Sequence, residues 1–393
     1  MPSTPEPEAD DLDAIPPPPA VFHIEQALLG ALLLDPRHLD DVTGIVPASF
    51  STAAHTALFA AIGSIPAPDP VEHATTTKWL DQVVAAARDQ ARGLSPLYLQ
   101  NLIRVCPSAR HAPAYARIVE AEHSRRRLAY AAQRLIRTAR DISLPQPVAT
   151  TLAEGEKLTA LVDDISARFP PHAGSLPRTP APSPATCHDE EALDEERLLL
   201  ATSTAHTSSV SQMRWLAPGD FTHSLHSGLW QCLTALTRRG TPVDPVTVLW
   251  EAQHRGLLTT GARPKDLLDL LSGTHGSPEH WGERVLQRSV LMTAHHTGRR
   301  IEAFTDDPAT TPYQLVTGSR RALADLSAIR TRWQHATSPT PTNNPTRTRA
   351  TAAPRAGPPR ATALPTARNS RDPEPIDGRT SATRPPKEES TPW

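Results

Sequence analysis

Two segments of this chain repeat one pattern of residues at a fixed spacing. Residues 25–58 align with residues 196–229 without a gap, at an offset of 171 positions. A duplicated pattern constrains the fold strongly, because both copies have to bury the same positions in the same way. We therefore expect two similar domains. The matched pairs are Glu25 with Glu196, Leu28 with Leu199, Leu29 with Leu200, Pro47 with Pro218, Phe50 with Phe221, His55 with His226, and Leu58 with Leu229.

The apolar residues recur at the spacing of an α-helix. His55, Leu58, Phe59 and Ile62 stand at positions i, i+3, i+4 and i+7, which places them on one helical face. No alternating strand pattern or Asn-Gly hairpin turn is present. The sequence therefore predicts an all-α fold. Proline-led helix starts, with a capping residue before the proline, are predicted at Asp69-Pro70, Ser95-Pro96, Asp244-Pro245 (aligned with Asp69-Pro70) and Ser277-Pro278.

Each copy is predicted to end in two long helices. In the first copy these are residues 112–141 and 148–169, and in the second they begin near Pro278 and Pro312. Two helices of this length form an antiparallel hairpin roughly 30–45 Å long, at 1.5 Å per residue. We expect the structural core to include Leu28, Phe50, Leu58, Phe59 and Tyr115 in the first copy, and Phe221, Leu229, Trp230 and Trp281 in the second.

Composition predicts the boundaries of these domains. Residues 1–20 contain five carboxylates, no basic residue and a run of prolines, so we predict disorder there. A Pro-rich linker is predicted at 170–191, and a disordered Pro/Thr/Arg tail at 336–393, which has few large apolar residues to bury. The two helical domains are then residues 21–169 and residues 192–335, the second being the more divergent.

The charge and the cysteines exclude several classes of protein. The net charge of −2 is not that of a general nucleic-acid binder. Cys106, Cys187 and Cys232 are scattered and form no CxxC pair, which indicates a reducing compartment and no zinc site of the usual spacing. The acidic start is unlike a signal peptide, and the longest apolar run, eight residues, is too short to cross a membrane. We expect a soluble, cytoplasmic protein.

These residues carry a family resemblance. The segment PPPAVFHIEQALLGALLLDPRHLDDV resembles the opening of the N-terminal domain of DnaB-type replicative helicases, and the later Cys106-Pro-Ser-Ala and Tyr115-Ala-Arg-Ile-Val119 fit the same pattern. The second copy has lost the first signature but keeps another, RGTPVDPVTV at 239–248. The chain therefore resembles a tandem pair of helicase N-terminal domains.

The resemblance implies partner binding rather than catalysis. In that family the domain is a helical globule plus a helical hairpin, the hairpins pair subunits, and the primase docks on the resulting collar. The family's RecA-like motor would need a GxxxxGK[ST] phosphate loop, and none of the 18 glycines is followed by lysine. We therefore expect no helicase or ATPase activity, no cofactor, and a replicative helicase, primase or loader as partner.

Candidate chemistry elsewhere in the sequence is weak. His223 and His226 share a helical face, but two imidazoles leave half of a tetrahedral metal site unfilled, and His226 aligns with the apolar stripe. His295 and His296 are adjacent and face different directions, and residues 187–190 (CHDE) fall in the predicted linker. We predict no catalytic residue and no metal site.

Arginines are the strongest candidates for a partner-binding surface. They cluster on the long helices, where they form either a solvated hairpin face or a docking face for an acidic partner or DNA phosphates. The candidates are Arg125, Arg126, Arg127, Arg134, Arg137 and Arg140 in the first copy, and Arg299, Arg300, Arg320 and Arg321 in the second. Six further arginines between 347 and 371 precede the first acid of the tail, Asp372.

Four hypotheses about function remain open at this point. The leading one is a non-enzymatic replication accessory that binds or modulates a helicase, primase or loader, and that self-associates through its hairpins. The second is a nonspecific DNA-binding protein that uses the arginine-rich hairpin and tail. The others are a metal hydrolase that uses the histidines and a decayed gene product of a mobile element.

Overall fold

The all-α prediction is confirmed by the computed structural model of the protein. The structure describes residues 19–180, 182, 189–260, 263–273 and 276–338, without the side chains of 259 and 260. This part of the chain contains 14 α-helices and no strand. Its two halves lie in one compact unit. Disorder is predicted for 1–20 and 336–393; of these segments 1–18 and 339–393 lie outside the described residues, whereas Ala20 begins the first helix and 336–337 belong to the last one. Cys187 and His188 also lie outside the described residues.

The first half contains seven α-helices, and the sequence accounts for several of their starts. Thr52, Asp69 and Ser95 each accept a hydrogen bond from a backbone N–H in the first turn of the helix that follows, which satisfies one of its free donors. The helices are α1 (Ala20–Leu34), α2 (Ala53–Ser64), α3 (Pro70–Thr75), α4 (Lys78–Arg88), α5 (Pro96–Val105), α6 (Ala112–Arg140) and α7 (Pro147–Arg168).

The second half contains seven more. Asp244 and Thr311 cap two of them, and Gly240, with φ of 67°, ends a third in the left-handed conformation that favours glycine. The helices are α8 (Glu190–Ala205), α9 (Thr207–Gln212), α10 (Ser224–Arg239), α11 (Pro245–His254), α12 (Pro264–Leu271), α13 (Pro278–Asp306) and α14 (Pro312–Thr337).

One aligned pair of capping residues precedes helices that pack in different places in the two halves. Both Asp69 and Asp244 cap a helix, as the sequence predicts. However, α11 packs against α10 and α12 as α4, rather than α3, packs against α2 and α5. The first copy therefore has an extra short helix, α3, between the shared cap and the helix that covers the globule.

The first core lies among α1, α2, α4, α5 and the beginning of α6. Leu28 and Leu58 are fully buried there, Phe50 and Phe59 nearly so, and Tyr115 packs against the cluster while partly exposed. These five residues are brought together from across some 90 positions of the sequence. They form the first helical globule.

The second core is larger because it includes both hairpins. Phe221, Leu229 and Trp230 are buried in the second globule, and Trp281 packs against the same cluster while partly exposed. Side chains of the first copy's hairpin, such as Leu135, belong to this cluster as well. The two copies are thus joined by a shared apolar core and not merely by a linker.

The start of the predicted linker lies against the second hairpin. The amide of Gln314 donates to the carbonyl of Leu176 at 2.7 Å, and the hydroxyl of Thr179 donates to the carboxylate of Asp307. Pro177 and the Phe304 ring both lie close to Gly318, where a Cβ would come within 2.6 Å and 2.8 Å of them. The boundaries of the linker and of the two domains stay predictions. In the described part of the chain, no helix is both long and apolar enough to span a membrane.

Candidate partner-binding site: the paired helical hairpins

The long helices α6 and α13 bury equivalent positions. At an offset of 166 residues every buried position of α6 from Ala112 to Leu135 corresponds to a buried position of α13 from Pro278 to Ile301. Arg125, in the middle of α6, reaches the last turn of α13, whereas Ile136, near the end of α6, contacts Gly298. The two helices therefore run antiparallel along each other.

A pseudo-two-fold axis passes through the contact between α6 and α13. Gly298 is the counterpart of Ala132, and a Cβ placed on Gly298 would lie 3.1 Å from the Ala132 carbonyl oxygen and 2.6 Å from Cγ1 of Ile136. A residue that meets its own counterpart lies on the axis of an isologous interface. The two hairpins of one chain are therefore related as two subunits of a symmetric dimer would be.

The second pair of hairpin helices, α7 and α14, closes the other side of this interface. Gly155 of α7 lies under Leu326 of α14, where a Cβ would come within 2.7 Å of the leucine Cδ2. Two ion pairs flank this contact, Arg320 with Asp163 at 2.8 Å and Arg330 with Glu156 at 2.7 Å. The result is a four-helix arrangement with an apolar centre and charged edges.

Arg125 connects the first hairpin to the turn of the second. Its guanidinium donates to the backbone carbonyls of Thr305 at 3.0 Å, Asp307 at 2.8 Å and Thr310. The side chain is only 15% exposed, and a planar guanidinium suits several acceptors at once. Arg125 is thus placed to hold the α13–α14 turn rather than to meet solvent.

Arg126 lies at the base of the first globule. It donates to the Ser49 carbonyl at 2.6 Å and lies 4.0 Å from the carboxylate of Glu25. Its Nε atom is buried without a partner among the described residues. This contact connects α6 to the loop before α2.

Arg127 and Arg134 pair with acids of the neighbouring helix α7. Arg127 lies 2.9 Å from Asp164, and Arg134 lies 2.7 Å from Glu154. Burial alone would raise the pKa of each acid, but Arg127 and Arg168 lower that of Asp164, and Lys157 with Arg134 lowers that of Glu154. Both acids therefore have a pKa below their ordinary values.

The arginines of the second hairpin divide in the same way. Arg299 pairs with Glu302 within α13, and Arg300 pairs with Asp325 of α14 at 2.8 Å. Arg320 holds Asp163, as described above. Among the described residues, Arg137, Arg140 and Arg321 make no ion pair, and all three are exposed. The structure thus brings the ten candidate arginines onto the two paired hairpins, α6–α7 and α13–α14, which together form the hairpin assembly. Of these ten, only Arg137, Arg140 and Arg321 present an unpaired charge.

Three histidines lie within this arginine-rich assembly. The pKa of His295 is lowered by burial and then by Arg140 and Arg299, and that of His296 by burial and Arg300. The pKa of His123 is lowered by burial and by Arg126, Arg127 and Arg168. Nε2 of His295 is buried with no hydrogen-bond partner in the described structure. All three groups therefore favour the neutral form in the folded protein.

The duplicated histidines of the globules have a different environment. His55 Nδ1 lies 2.7 Å from the buried carboxylate of Glu25, which also accepts from the N–H and hydroxyl of Ser51, each at 2.8 Å. His55 Nε2 lies 3.0 Å from the Tyr98 hydroxyl. The glutamate therefore ties α1 to the start of α2.

The second globule repeats this arrangement. His226 Nδ1 lies 2.7 Å from Glu196, which accepts from the N–H of Thr222 at 2.5 Å and from its hydroxyl. Burial would raise the pKa of Glu196, but the hydrogen bonds of His226 and Thr222 lower it. His223 stacks on His226 with 4.6 Å between ring centroids. Within the described residues no group of three or more His, Cys, Asp or Glu side chains is placed to hold a metal ion.

The sequence did not identify the acids that neutralise the hairpin arginines. Asp163, Glu154 and Glu156 all lie on α7, and their partners come from α6 and α14. Glu156 and Asp163 are seven residues apart and share a helical face, so this part of the signal was present, whereas Glu154 lies on a different face of α7 and meets α6. Which arginine each acid meets depends on the pairing of the hairpins, which periodicity alone does not determine.

Comparison with known proteins identifies the family of both halves. The family model of the DnaB-like helicase N-terminal domain matches residues 17–121 and again residues 188–282. Both matches end within the first turns of the long helices α6 and α13. Over 129 residues the chain is 36% identical to the replicative DNA helicase DnaB of Geobacillus stearothermophilus, an alignment that covers 32% of this chain and 26% of that helicase.

The chain thus spans about a quarter of the length of that relative. No solved structure matches the chain. The two family matches together cover about half of the chain, and each contains one helical globule with its buried glutamate and histidine. The chain belongs to the DnaB-like helicase N-terminal domain family and carries that domain twice.

Proposed function

We propose that this protein is a non-enzymatic accessory of DNA replication that binds a replicative helicase, a primase or a helicase loader. The observation that supports it best is the pairing of two helicase-type hairpins inside one chain. Such a pair offers a preassembled surface that two separate domains would have to form by association. Because the two halves are covalently linked, their effective concentration is in the millimolar range for a short connection.

The exposed parts of the hairpin assembly supply the proposed docking face. Arg137 and Arg140 lie in the last turn of α6, where the negative end of the helix dipole stabilises their positive charge. Arg321 lies on α14. None of the three is engaged in an ion pair within the described residues, so their charge is free for an acidic partner. We expect the protein to act in the cytoplasm with its replication partners.

A pull-down with purified helicase and primase tests this proposal. At low salt the immobilised protein is expected to retain one of them, and charge reversal of Arg137, Arg140 and Arg321 together is expected to weaken retention at least tenfold. Reversal of Arg263, whose side chain is 82% exposed in the second globule and pairs with Asp266, serves as a control for a charge change away from the hairpins. Retention of neither partner would contradict the proposal.

Direct DNA binding is the alternative, and the same purified protein can be used to test it. It predicts a mobility shift of a duplex oligonucleotide that falls steeply with salt, because phosphate contacts release counterions. Pairing of most hairpin arginines with acids leaves less free charge for such contacts. A salt-sensitive shift without any protein partner would favour DNA binding over the accessory role.

A further inference from the structure

A large groove lies in the second globule, away from the hairpins. It has a volume of about 930 Å³ and lies between α10 and the segment from α9 to Pro218. Its floor includes Val210, Met213, Leu216 and Trp230, all of them buried side chains. A concave site with an apolar floor is the usual form of a ligand-binding pocket.

The rim of this groove is positively charged. Arg214, Arg238 and Arg255 line it, and no acidic side chain does. Arg255 is paired with Glu251 at 2.8 Å. Arg238 makes no ion pair or hydrogen bond among the described residues, and the guanidinium of Arg214 meets only the Ser211 carbonyl, at 3.2 Å. Two arginines therefore present free charge beside an apolar floor.

One wall of the groove supplies hydrogen-bonding groups. Gln231, Thr234 and Arg238 follow one another along one face of α10, at the spacing of successive helical turns. Seven residues of helix extend about 10 Å, which is the length of roughly three residues of extended chain. The wall is therefore long enough for a short peptide segment.

The first copy shares the floor but not the rim. At the offset of 171 the apolar floor positions correspond to Leu39, Val42, Ile45 and Phe59, and Arg214 corresponds to Thr43. Arg238 has no counterpart in the first copy, because α2 ends at Ser64, the counterpart of Ala235, whereas α10 continues to Arg239. The buried floor is thus explained by the common fold. The arginines are particular to the second copy, and the fold does not require them because they are exposed.

We propose that this groove binds an acidic peptide segment of a partner protein, with a bulky apolar side chain on the floor and carboxylates on Arg214 and Arg238. Charge complementarity favours this occupant: the two exposed guanidinium groups can bind carboxylates through charged hydrogen bonds, and the apolar residues that line the groove match an apolar side chain. The site is independent of the hairpin assembly, so it stands whether or not the hairpins bind replication proteins.

Fluorescence anisotropy with a defined probe tests the proposal. The probe is a fluorescein-labelled octapeptide of glutamates interrupted by one Phe-Leu pair, titrated with the full-length protein at low salt. Wild-type protein is expected to bind it, and the double variant R214E/R238E is expected to bind at least tenfold more weakly. The variant R197E, a charge reversal at an exposed arginine of α8, is the control and is expected to bind like wild type.

Two further probes separate charge from apolar contact. Replacing the Phe-Leu pair by serines is expected to weaken binding, and replacing the glutamates by lysines is expected to abolish it. Thermal unfolding of R214E/R238E is expected to match wild type, since both side chains are exposed. Absence of probe binding to wild type, equal binding by R214E/R238E, or tighter binding of a single-stranded oligonucleotide at these arginines would overturn the proposal.

Discussion

The two copies share the buried glutamate–histidine pair of their globules and differ where they meet each other. His55 and His226 both lie 2.7 Å from a buried glutamate that also ties down the start of the next helix. At the hairpin contact, by contrast, Ala132 is opposed by Gly298, and Arg125 has Leu291 as its counterpart. Only the first copy can therefore hold the other's turn with a guanidinium.

This difference shows how a symmetric association becomes asymmetric within one chain. In a dimer of identical subunits each residue serves both sides of the axis, so a change has to suit both. In a fused pair the two sides are separate positions. One side has a glycine that allows close approach, and the other has an arginine that bridges to three carbonyls.

The largest expected effect comes from the shared buried pair. Replacing His55 by Leu removes the closest hydrogen-bond partner of the buried Glu25 carboxylate, and an unsatisfied buried acceptor of this kind costs about 3 kcal/mol of unfolding free energy. We expect H226L to destabilise the second globule by a similar amount, measured by urea denaturation. If only one of the two variants is strongly destabilised, the chemistry of the globules is not equivalent.

The second prediction concerns the asymmetric arginine. Arg125→Ala removes charged hydrogen bonds to the carbonyls at the α13–α14 turn, and we expect a loss of about 2–3 kcal/mol. Arg137→Ala, an exposed position on the same helix, is the control and is expected to change stability by less than about 0.5 kcal/mol. Equal effects of the two variants would mean that Arg125 does not hold the turn.

The third prediction concerns the close approach on the axis. Gly298→Ala adds a Cβ against Ile136 and the Ala132 carbonyl, and we expect a loss of about 1–3 kcal/mol from overpacking. Gly63→Ala, in a helix with nothing within 4 Å of the added Cβ, is expected to stabilise by about 0.5–1 kcal/mol. Thermal unfolding of both variants should therefore shift in opposite directions.

The smallest effect is the dependence of hairpin stability on pH. His295 and His296 have a folded pKa below the ordinary value of 6.5, so the unfolded chain binds more protons near that pH. Stability is then fully present above pH 6.5 and is lost as the pH falls toward the folded pKa. His295→Gln is expected to reduce this slope in urea denaturation series, and an unchanged slope would exclude His295 as its source.

The sequence predicted the helices well because their signals are local. Capping by Asp69, Ser95 and Asp244 is visible in the chain itself, and the first long helix, expected at 112–141, is Ala112–Arg140 in the structure. The position of α11 was harder to predict, since the aligned caps of Asp69 and Asp244 precede helices that pack differently. The extra helix α3 after the Asp69 cap is evident only from how the helices pack, because the aligned caps look alike in sequence.

The candidate site was predictable as a segment but not as a surface. Arginines on a long helix indicate charge, yet the acids that neutralise Arg127, Arg134 and Arg320 are 20 to 157 residues away in sequence. The rim of the groove could not be predicted from the sequence for the same reason, because Arg214 and Arg238 come to line one groove only when α9 and α10 pack. Tertiary contact, rather than composition, leaves Arg137, Arg140 and Arg321 exposed.

The central claim is that the two hairpins pair within a single chain. Spin labels at positions 163 and 320, introduced as D163C and R320C in a background without native cysteines, measure this pairing directly by pulsed electron resonance. We expect a separation below about 20 Å, as for helices packed 8–10 Å apart, that persists after dilution with unlabelled protein. A long separation, or a short one that disappears on dilution, would contradict the account.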